Sequence, residues 1–66
     1  MYVIERVFTA ISDKWVKIKY CSDYDYAVMQ AKCFAKAGHT IRLHNEDDDS
    51  YIYYDINGNE KENENA

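Results

Sequence analysis

Proline is absent from the sequence, and glycine occurs only twice, at Gly38 and Gly58. Both residue types interrupt helices and strands, so their scarcity predicts a chain that is mostly regular structure joined by short turns. With so few glycines, the sequence offers no glycine-rich loop of the kind that binds phosphate. The two cysteines are too few for the disulfide framework of a small secreted domain.

Long apolar segments are also missing. The sequence has no run of about 18 apolar residues that would cross a bilayer, and its first residues lack the basic and apolar regions of a signal peptide. We therefore expect a cytoplasmic protein with reduced thiols and no membrane partner. A chain of 66 residues predicts one small domain with little room for a deep catalytic cavity.

Charge is distributed unevenly along the chain. Residues 1–45 carry seven Lys/Arg and four Asp/Glu, a net of +3, whereas residues 46–66 carry one Lys and eight Asp/Glu, a net of −7. This asymmetry indicates one of two things. Either the acidic segment at residues 46–66 has its own role, or its charge keeps a tyrosine-rich chain in solution. Residues 59–66 are polar and acidic, which predicts a disordered tail after a single folded domain at residues 1–58.

Two hairpins are predicted on either side of a helix. Residues 2–11 are rich in β-branched and aromatic types and residues 15–20 alternate between apolar and polar, so these segments should pair as antiparallel strands. Residues 40–44 and 51–56 alternate in the same way across an acidic loop. The predicted fold class is α+β: an antiparallel four-stranded sheet with one helix packed on one face, in the order β-β-α-β-β.

The helix between the hairpins is predicted from its termini and its periodicity. Ser22 is the expected N-cap, in a capping-box pattern with Asp25, and the helix should run to residue 37 before the terminating Gly38. A spacing near 3.6 residues assigns these side chains to the core face, with Phe34 at its edge: Tyr24, Ala27, Val28, Ala31 and Ala35.

The strands also have a predicted core face. Period-two alternation assigns these residues to it: Val16, Ile18, Tyr20, Ile41, Leu43, Ile52, Tyr54 and Ile56. In the first strand the alternation leaves two choices open, Ile4 with Phe8 or Val3 with Val7.

Metal-binding and catalytic patterns are weak. Asn45, Asp47 and Asp49 have the spacing of the first three ligands of a calcium loop, but the glycine and the bidentate glutamate of that loop are replaced by Ser50 and Ile56. The two cysteines are twelve residues apart, which does not match zinc-ligand pairs. No local pattern supplies a nucleophile with an orienting base. We therefore expect no metal, no cofactor and no enzymatic activity.

Acidic residues and exposed aromatics suggest a protein-binding surface. Carboxylates can imitate phosphates and occupy a cationic groove on a partner. Tyr26, Met29 and Cys33 form a second stripe on the helix, which is a contact patch, a homodimer contact or, with a different helix phase, part of the core. The residues predicted to bind a partner are Asp23, Asp25, Tyr26, Met29, Glu46, Asp47, Asp48, Asp49, Tyr51 and Tyr53.

A second hypothesis assigns binding to the sheet face away from the helix. Trp15, Lys17, Lys19 and Arg42 alternate on that face with aromatic neighbours, and interleaved cations and rings are typical of single-stranded nucleic-acid binding. The structural alternative is cross-strand pairing of cations with tyrosines on a solvent-facing sheet. We regard direct nucleic-acid binding as the less favoured of the two functions.

The predicted elements and their residues form one overall pattern along the chain. It consists of an opening strand at residues 2–4, a charged second strand, a helix with Ser22, Ala27, Ala31 and Ala35 in register, a strand at residues 40–43 and a final hairpin. This pattern, over residues 2–57, resembles anti-CRISPR proteins that act on multisubunit type I effectors. It is also similar to small phage inhibitors of host RNA polymerase.

The resemblance implies a stoichiometric inhibitor that acts in the cytoplasm of a bacterial host. Such a protein binds a bacterial protein or nucleoprotein complex and blocks its nucleic-acid site. The acidic segment at residues 46–66 distinguishes this chain from those members of the group that depend on basic residues.

Overall fold

Five strands and one helix follow one another as β-β-α-β-β-β in the computed structural model, which describes residues 1–7 and 14–61. Their bounds are β1 (Tyr2–Val7), β2 (Trp15–Cys21), α1 (Tyr24–Lys36), β3 (Thr40–Asn45), β4 (Ser50–Tyr54) and β5 (Glu60–Lys61). The strands form one antiparallel sheet in the spatial order β2-β1-β3-β4-β5. The α+β class is confirmed, but the sheet has five strands where the sequence predicted four.

The additional strand follows a tight turn after β4. Oδ1 of Asp55 accepts hydrogen bonds from the backbone N–H groups of Asn57 (2.9 Å) and Asn59 (3.0 Å), and Gly58 has a φ of 82°. A positive φ is readily adopted by glycine because it has no Cβ. The turn therefore returns the chain to the edge of β4, so β5, within the predicted tail, belongs to the sheet; residues 62–66 lie outside the described residues.

The N-cap of helix α1 lies one residue later in the chain than predicted. The carboxylate of Asp23 accepts a hydrogen bond from the N–H of Tyr26 at 2.8 Å, so Asp23 is the N-cap and Ser22 is not. At the other end Ala37 is the C-cap, and Gly38 follows with a φ of 99°, as the sequence predicted for a terminating glycine. Among the described residues, no helix is long and apolar enough to cross a membrane.

The predicted core face of the helix is largely confirmed. Ala27, Ala31 and Ala35 are fully buried, and Val28 and Phe34 pack partly buried against the core. Small side chains let the helix lie close to the sheet, mainly over β1 and β3. Tyr24, the remaining member of the predicted face, lies at the start of the helix and is exposed, contrary to the prediction.

The second helical stripe lies on the outer side of the helix. Tyr26 and Met29 are 43% and 51% exposed, and Cys33 is exposed as well. The alternative in which this stripe forms part of the core is therefore wrong, because the alanine face occupies the contact with the sheet. A contact patch and a homodimer contact remain as interpretations.

A β-bulge in β2 reverses the predicted faces of the second half of that strand. The pairing passes from Ile4 opposite Lys19 to Glu5 opposite Lys17, so Ile18 has no partner in β1. One inserted residue shifts all later side chains to the other face. As a result Lys19 lies on the helix side of the sheet, contrary to the prediction, and Tyr20 lies on the side away from it.

The predicted inward residues of β2 are therefore exposed. Val16, Ile18 and Tyr20 are 44%, 37% and 56% exposed, whereas Cys21 is buried in the core. Besides the bulge, the reason is position: among the described strands β2 pairs only with β1, at one end of the strand order. The helix lies mainly over the strands nearer the centre.

Both phases of β1 contribute buried residues. Ile4 pairs with Leu43 and packs in the core beneath the helix, whereas Val3 pairs with His44 on the opposite face. Each is fully buried. The structure thus decides the choice for the phase of Ile4, which faces the helix, whereas Val3 is buried at the centre of the opposite face. Phe8, one of the residues on which that choice depended, lies outside the described residues.

The strands of the second hairpin follow the predicted alternation. Ile41, Leu43 and Tyr54 are buried, and Ile52 packs partly buried against them. Ile56 is 67% exposed, contrary to the prediction, because β4 ends at Tyr54 and the chain enters the turn to β5.

Candidate functional site

Two acidic segments that are distant in sequence meet at one end of the sheet. Tyr2 at the start of β1 pairs with Cys21 on one side and with Asn45 on the other. The chain continues from Cys21 to Asp23 and from Asn45 to Glu46, so both acidic segments leave the sheet at the same end. We define this acidic end by its six carboxylates: Asp23, Asp25, Glu46, Asp47, Asp48 and Asp49.

The connection between β3 and β4, residues 46–49, is a well-defined turn that we call the acidic turn. Oδ1 of Asn45 accepts a hydrogen bond from the N–H of Asp47, and Oδ1 of Asp48 accepts one from the N–H of Ser50, both at 3.0 Å. Hydrogen bonds from the Ser50 hydroxyl and N–H lower the pKa of Asp48 below its ordinary value. Asp48 thus keeps its charge, and the side chains of Asn45 and Asp48 fix the backbone of the turn.

Weak ion pairs join the acidic turn to neighbouring groups. The amino group of Met1 is 3.6 Å from Oδ2 of Asp47, and Nζ of Lys17 is 3.8 Å from Oε2 of Glu46. Exposed pairs of this kind contribute roughly 0–1 kcal/mol each. The Asp47 and Asp49 side chains remain 81% and 83% exposed, so their carboxylates are accessible to a partner.

The sheet surface away from α1, which we call the open face, encloses Arg42. Its Nε is 2.6 Å from Oε1 of Glu5, and its Nη1 is 3.4 Å from the Tyr53 hydroxyl. The guanidinium carbon lies 4.4 Å from the ring centre of Trp15 and 4.2 Å from that of Tyr51. This arrangement is the cross-strand pairing of cation and aromatic rings that the sequence offered as the alternative to nucleic-acid binding.

The electrostatics of Arg42 follow from that enclosure. Burial disfavours its charge, but the hydrogen bonds from Arg42 to Glu5 and Tyr53, with the attraction of the Glu5 carboxylate, raise the pKa of Arg42. The cation is therefore permanent and already matched by a carboxylate of the same protein. A phosphate that approached the open face would have to compete with Glu5 for it.

A histidine extends this pair into a network that reaches the acidic turn. Nδ1 of His44 is 3.2 Å from Oε2 of Glu5, and Nε2 is 2.9 Å from Oδ1 of Asp49. The His44 ring stacks on Tyr51 with 4.4 Å between the ring centres and 13° between the planes. The network therefore runs from Arg42 in the sheet to the exposed carboxylate of Asp49.

Glu5, which is only 4% exposed, was not predicted from the sequence as a member of this site. A charged residue between Ile4 and Arg6 does not reveal which neighbour will neutralise it. The sequence does contain one signal for Glu5: Arg42 and His44 alternate on one face of β3, and two such side chains favour an acidic partner on the adjacent strand. Glu5 could be identified as that partner only from the register of β1 against β3.

The two lysines of the predicted nucleic-acid face lie on different sides of the sheet. Lys19 lies on the helix side, where Nζ donates to Oε1 of Gln30 (2.9 Å) and to the hydroxyl of Tyr26 (3.2 Å). Lys17 pairs in register with Glu5 and therefore lies on the open face, where its Nζ forms the ion pair with Glu46. The structure thus brings Trp15, Lys17 and Arg42 to the open face, and Lys19 is the member of the predicted face that is missing from it.

The aromatic residues predicted to bind a partner lie on two different sides. Tyr51, 41% exposed, and the half-buried Tyr53 belong to the open face, whereas Tyr26 and Met29 lie on the outer side of the helix. Tyr51 is the second residue of β4, next to the acidic turn, and Tyr26 binds the Asp23 cap. Tyr51 and Tyr26 therefore flank the acidic end. Tyr53 and Met29 lie farther along β4 and α1.

The residues that match part of a calcium-binding loop make contacts within the acidic turn and its neighbours. Asn45 binds the backbone of the acidic turn, and Asp49 contacts His44. Across residues 1–7 and 14–61 no group of three or more His, Cys, Asp or Glu side chains is arranged so that it could hold a metal ion. Cys21 and Cys33 are both free thiols.

Comparison with known proteins gives no relative for this chain: no family model, curated protein or solved structure matches it.

Proposed function

We propose that this protein is a small inhibitor that binds a cationic, nucleic-acid-binding surface on a bacterial protein or nucleoprotein complex in the host cytoplasm. The acidic end is its contact surface. The supporting observation is that Tyr2 pairs with both Cys21 and Asn45, so that the fold brings six carboxylates to one end. Such a cluster presents to a partner the kind of charge that a nucleic-acid backbone presents.

Electrostatic complementarity explains how so small a protein would compete with nucleic acid. A concentrated negative surface raises the rate of encounter with a cationic groove and excludes partners of like charge. Tyr51 and Tyr26, beside the acidic end, would supply rigid aromatic contacts with a polar tip. Long-range attraction would thus bring the surfaces together, and the tyrosines would slow their separation.

Direct nucleic-acid binding is less well supported by the geometry. Arg42 is matched by Glu5 and covered by two rings, and Lys19 lies on the other side of the sheet. A titration of labelled single-stranded oligonucleotide at about 50 mM salt tests this alternative, because non-specific phosphate binding is strong at low salt. Saturable binding that is weakened by Lys17→Gln, a substitution on the open face that leaves the buried Glu5–Arg42 pair intact, would favour the open face as the functional surface.

The resemblance to anti-CRISPR proteins makes a multisubunit type I CRISPR–Cas effector the first partner to test. Bacterial RNA polymerase, the target of the other resembling group, is the second. Both assemblies hold nucleic acid in cationic channels, so the same acidic end would serve for either.

A competition experiment tests the proposal directly. A purified type I effector is incubated with increasing amounts of the protein, and binding of its labelled target DNA is then measured; RNA polymerase and promoter DNA are treated in parallel. We expect DNA binding by one of the two assemblies to fall to background near equimolar protein. Undiminished DNA binding by both at a large excess of the protein would contradict the proposal.

The exposed helical stripe provides a second mode of association, with another copy of the chain. Tyr26 and Met29 would form an isologous contact if the protein is a dimer. Sedimentation equilibrium of the protein and of its Met29→Lys variant tests this. A dimer that the variant converts to a monomer supports the contact, and a monomeric parent protein removes it.

A further inference from the structure

His44 occupies an unusual position between two carboxylates. Glu5 is opposite one ring nitrogen and Asp49 is opposite the other, at 3.2 Å and 2.9 Å. An ionised carboxylate can only accept hydrogen bonds, so both contacts are hydrogen bonds only when both nitrogens carry a proton. With both carboxylates ionised, the imidazolium is therefore the form of the ring that satisfies both contacts at once.

Loss of one proton makes one of these contacts repulsive. A neutral imidazole has one donor nitrogen and one lone pair, and the lone pair would then be directed at a carboxylate oxygen. Histidine changes its charge within the physiological range, between about pH 5 and pH 8. The surroundings of the ring decide which of the two contacts is lost.

The two carboxylates differ in their freedom to move. The Glu5 side chain is only 5% exposed and is bound to Arg42, whereas the Asp49 side chain is 83% exposed. Asp49 also has a φ of 57°, a left-handed conformation that is unfavourable for a residue with a Cβ. The neutral ring should thus keep its Nδ1 proton toward Glu5, and Asp49 should leave.

Other charged groups around the ring do not replace that contact. The Asp48 carboxylate is close enough to be attracted by the charged ring, but it accepts hydrogen bonds from Ser50. Tyr51 stacks on the ring through its face, and Arg42 acts on the ring through Glu5. From β2, Lys17 is directed to Glu46 at the start of the acidic turn.

We propose that His44 is a proton-operated latch for the acidic turn. The imidazolium holds Asp49 and with it the left-handed corner of the turn. When the imidazolium gives its Nε2 proton to solvent, the ring becomes neutral and releases Asp49 as an unpaired carboxylate. The inference goes beyond the proposed function, because the latch operates in the free protein whether or not the acidic end binds a partner.

Nuclear magnetic resonance of the ¹⁵N-labelled protein between about pH 5 and pH 8 tests the latch. Side-chain spectra report which ring nitrogen is protonated, and the amide-to-α-proton nuclear Overhauser effect of Asp49 is strong only at positive φ. We expect that effect to be strong while the ring is charged and to weaken as the neutral ring appears with its proton on Nδ1. His39, which is outside the network, serves as an internal reference.

Two variants of the same turn separate the latch from general charge effects. In Asp49→Asn the amide can either accept from or donate to the ring, so the turn should stay fixed throughout the pH range. In Asp48→Asn the charge change is the same but the ring contact remains, so the coupled change should persist. A parent protein whose Asp49 keeps its positive φ when His44 is neutral, or whose neutral ring is protonated on Nε2, would overturn the proposal.

Discussion

Glu5 and Arg42 form an ion pair on the sheet face that does not carry the helix, with 2.6 Å between Nε and Oε1 and with only 5% and 17% of the two side chains exposed. Removing two charges from water is costly, and the cost is recovered only where further contacts satisfy both groups. Here Tyr53 and His44 supply the additional hydrogen bonds, and Trp15 adds a cation–π contact. The pair therefore organises the open face as a second, polar centre of the fold.

Breaking that pair should destabilise the protein strongly. Arg42→Gln leaves the buried Glu5 carboxylate without its cation, which should lower the free energy of unfolding by about 3 kcal/mol. Lys17→Gln is a matched control, since it removes one cation from the exposed pair with Glu46 and should cost no more than about 1 kcal/mol. Urea denaturation measures both, and equal losses in the two variants would contradict this account of the open face.

Tyr54 should be more important for its ring than for its hydroxyl. The residue is 2% exposed, and its hydroxyl has no hydrogen-bond partner among the described residues. An unpaired buried hydroxyl is unfavourable, so Tyr54→Phe should leave the free energy of unfolding unchanged or raise it by up to about 1 kcal/mol at pH 7. A large loss of stability in this variant would show that the hydroxyl does have a partner.

The same hydroxyl should make stability depend on alkaline pH. Burial, followed by the nearby Glu60 carboxylate and Tyr24, raises the pKa of Tyr54 from 10.0 to about 12. The folded protein thus holds the phenol proton more tightly than the unfolded chain. This contribution is fully present below about pH 10 and is lost as the pH rises toward 12.

Urea midpoints measured between pH 9 and pH 11.5, roughly the interval of that titration, test this dependence. Tyr54→Phe should decline less steeply with pH than the parent protein. Tyr20→Phe, at a site that is 56% exposed, should decline as the parent does. Identical slopes for Tyr54→Phe and the parent would argue against a buried phenol at this position.

The helix cap offers a comparison between neighbouring residues. Asp23→Ala removes the acceptor of the Tyr26 N–H and should lower the free energy of unfolding by about 1 kcal/mol. Ser22→Ala, at the residue that the sequence pattern favoured, should change it by a few tenths at most. The opposite order in thermal or urea denaturation would assign the cap to Ser22.

Much of the fold could be predicted from the sequence, because its strongest signals are local. The alanines of α1 and the terminating Gly38 depend on helical periodicity and a positive φ, and both were placed correctly. The alternation of β3 was equally reliable, since this central strand is regular. The N-cap was displaced by one residue because Ser22 and Asp23 are both good caps, and their order is decided by where β2 ends.

The errors arise where non-local pairing overrides a local pattern. A bulge at Ile18 turned Lys19 to the helix side, and nothing in the alternation of residues 15–20 indicates an inserted residue. Similarly, the burial of Glu5 depends on its register against β3. The acidic end shows the same limit of local patterns. Its residues were identified one by one from the sequence, but their assembly at one end of the sheet follows from the pairing of Tyr2 with both Cys21 and Asn45.

The claim that the acidic end is the binding surface is tested by the salt dependence of affinity for the assembly that the protein inhibits. Asp47, Asp48 and Asp49 are changed together to Asn; the control changes Glu60, Glu62 and Glu64 to Gln, which alters net charge equally. We predict that the first variant binds at least about tenfold more weakly with a shallower salt dependence, and that the control binds like the parent protein. Unchanged affinity in the first variant, or equal losses in both, would contradict the claim.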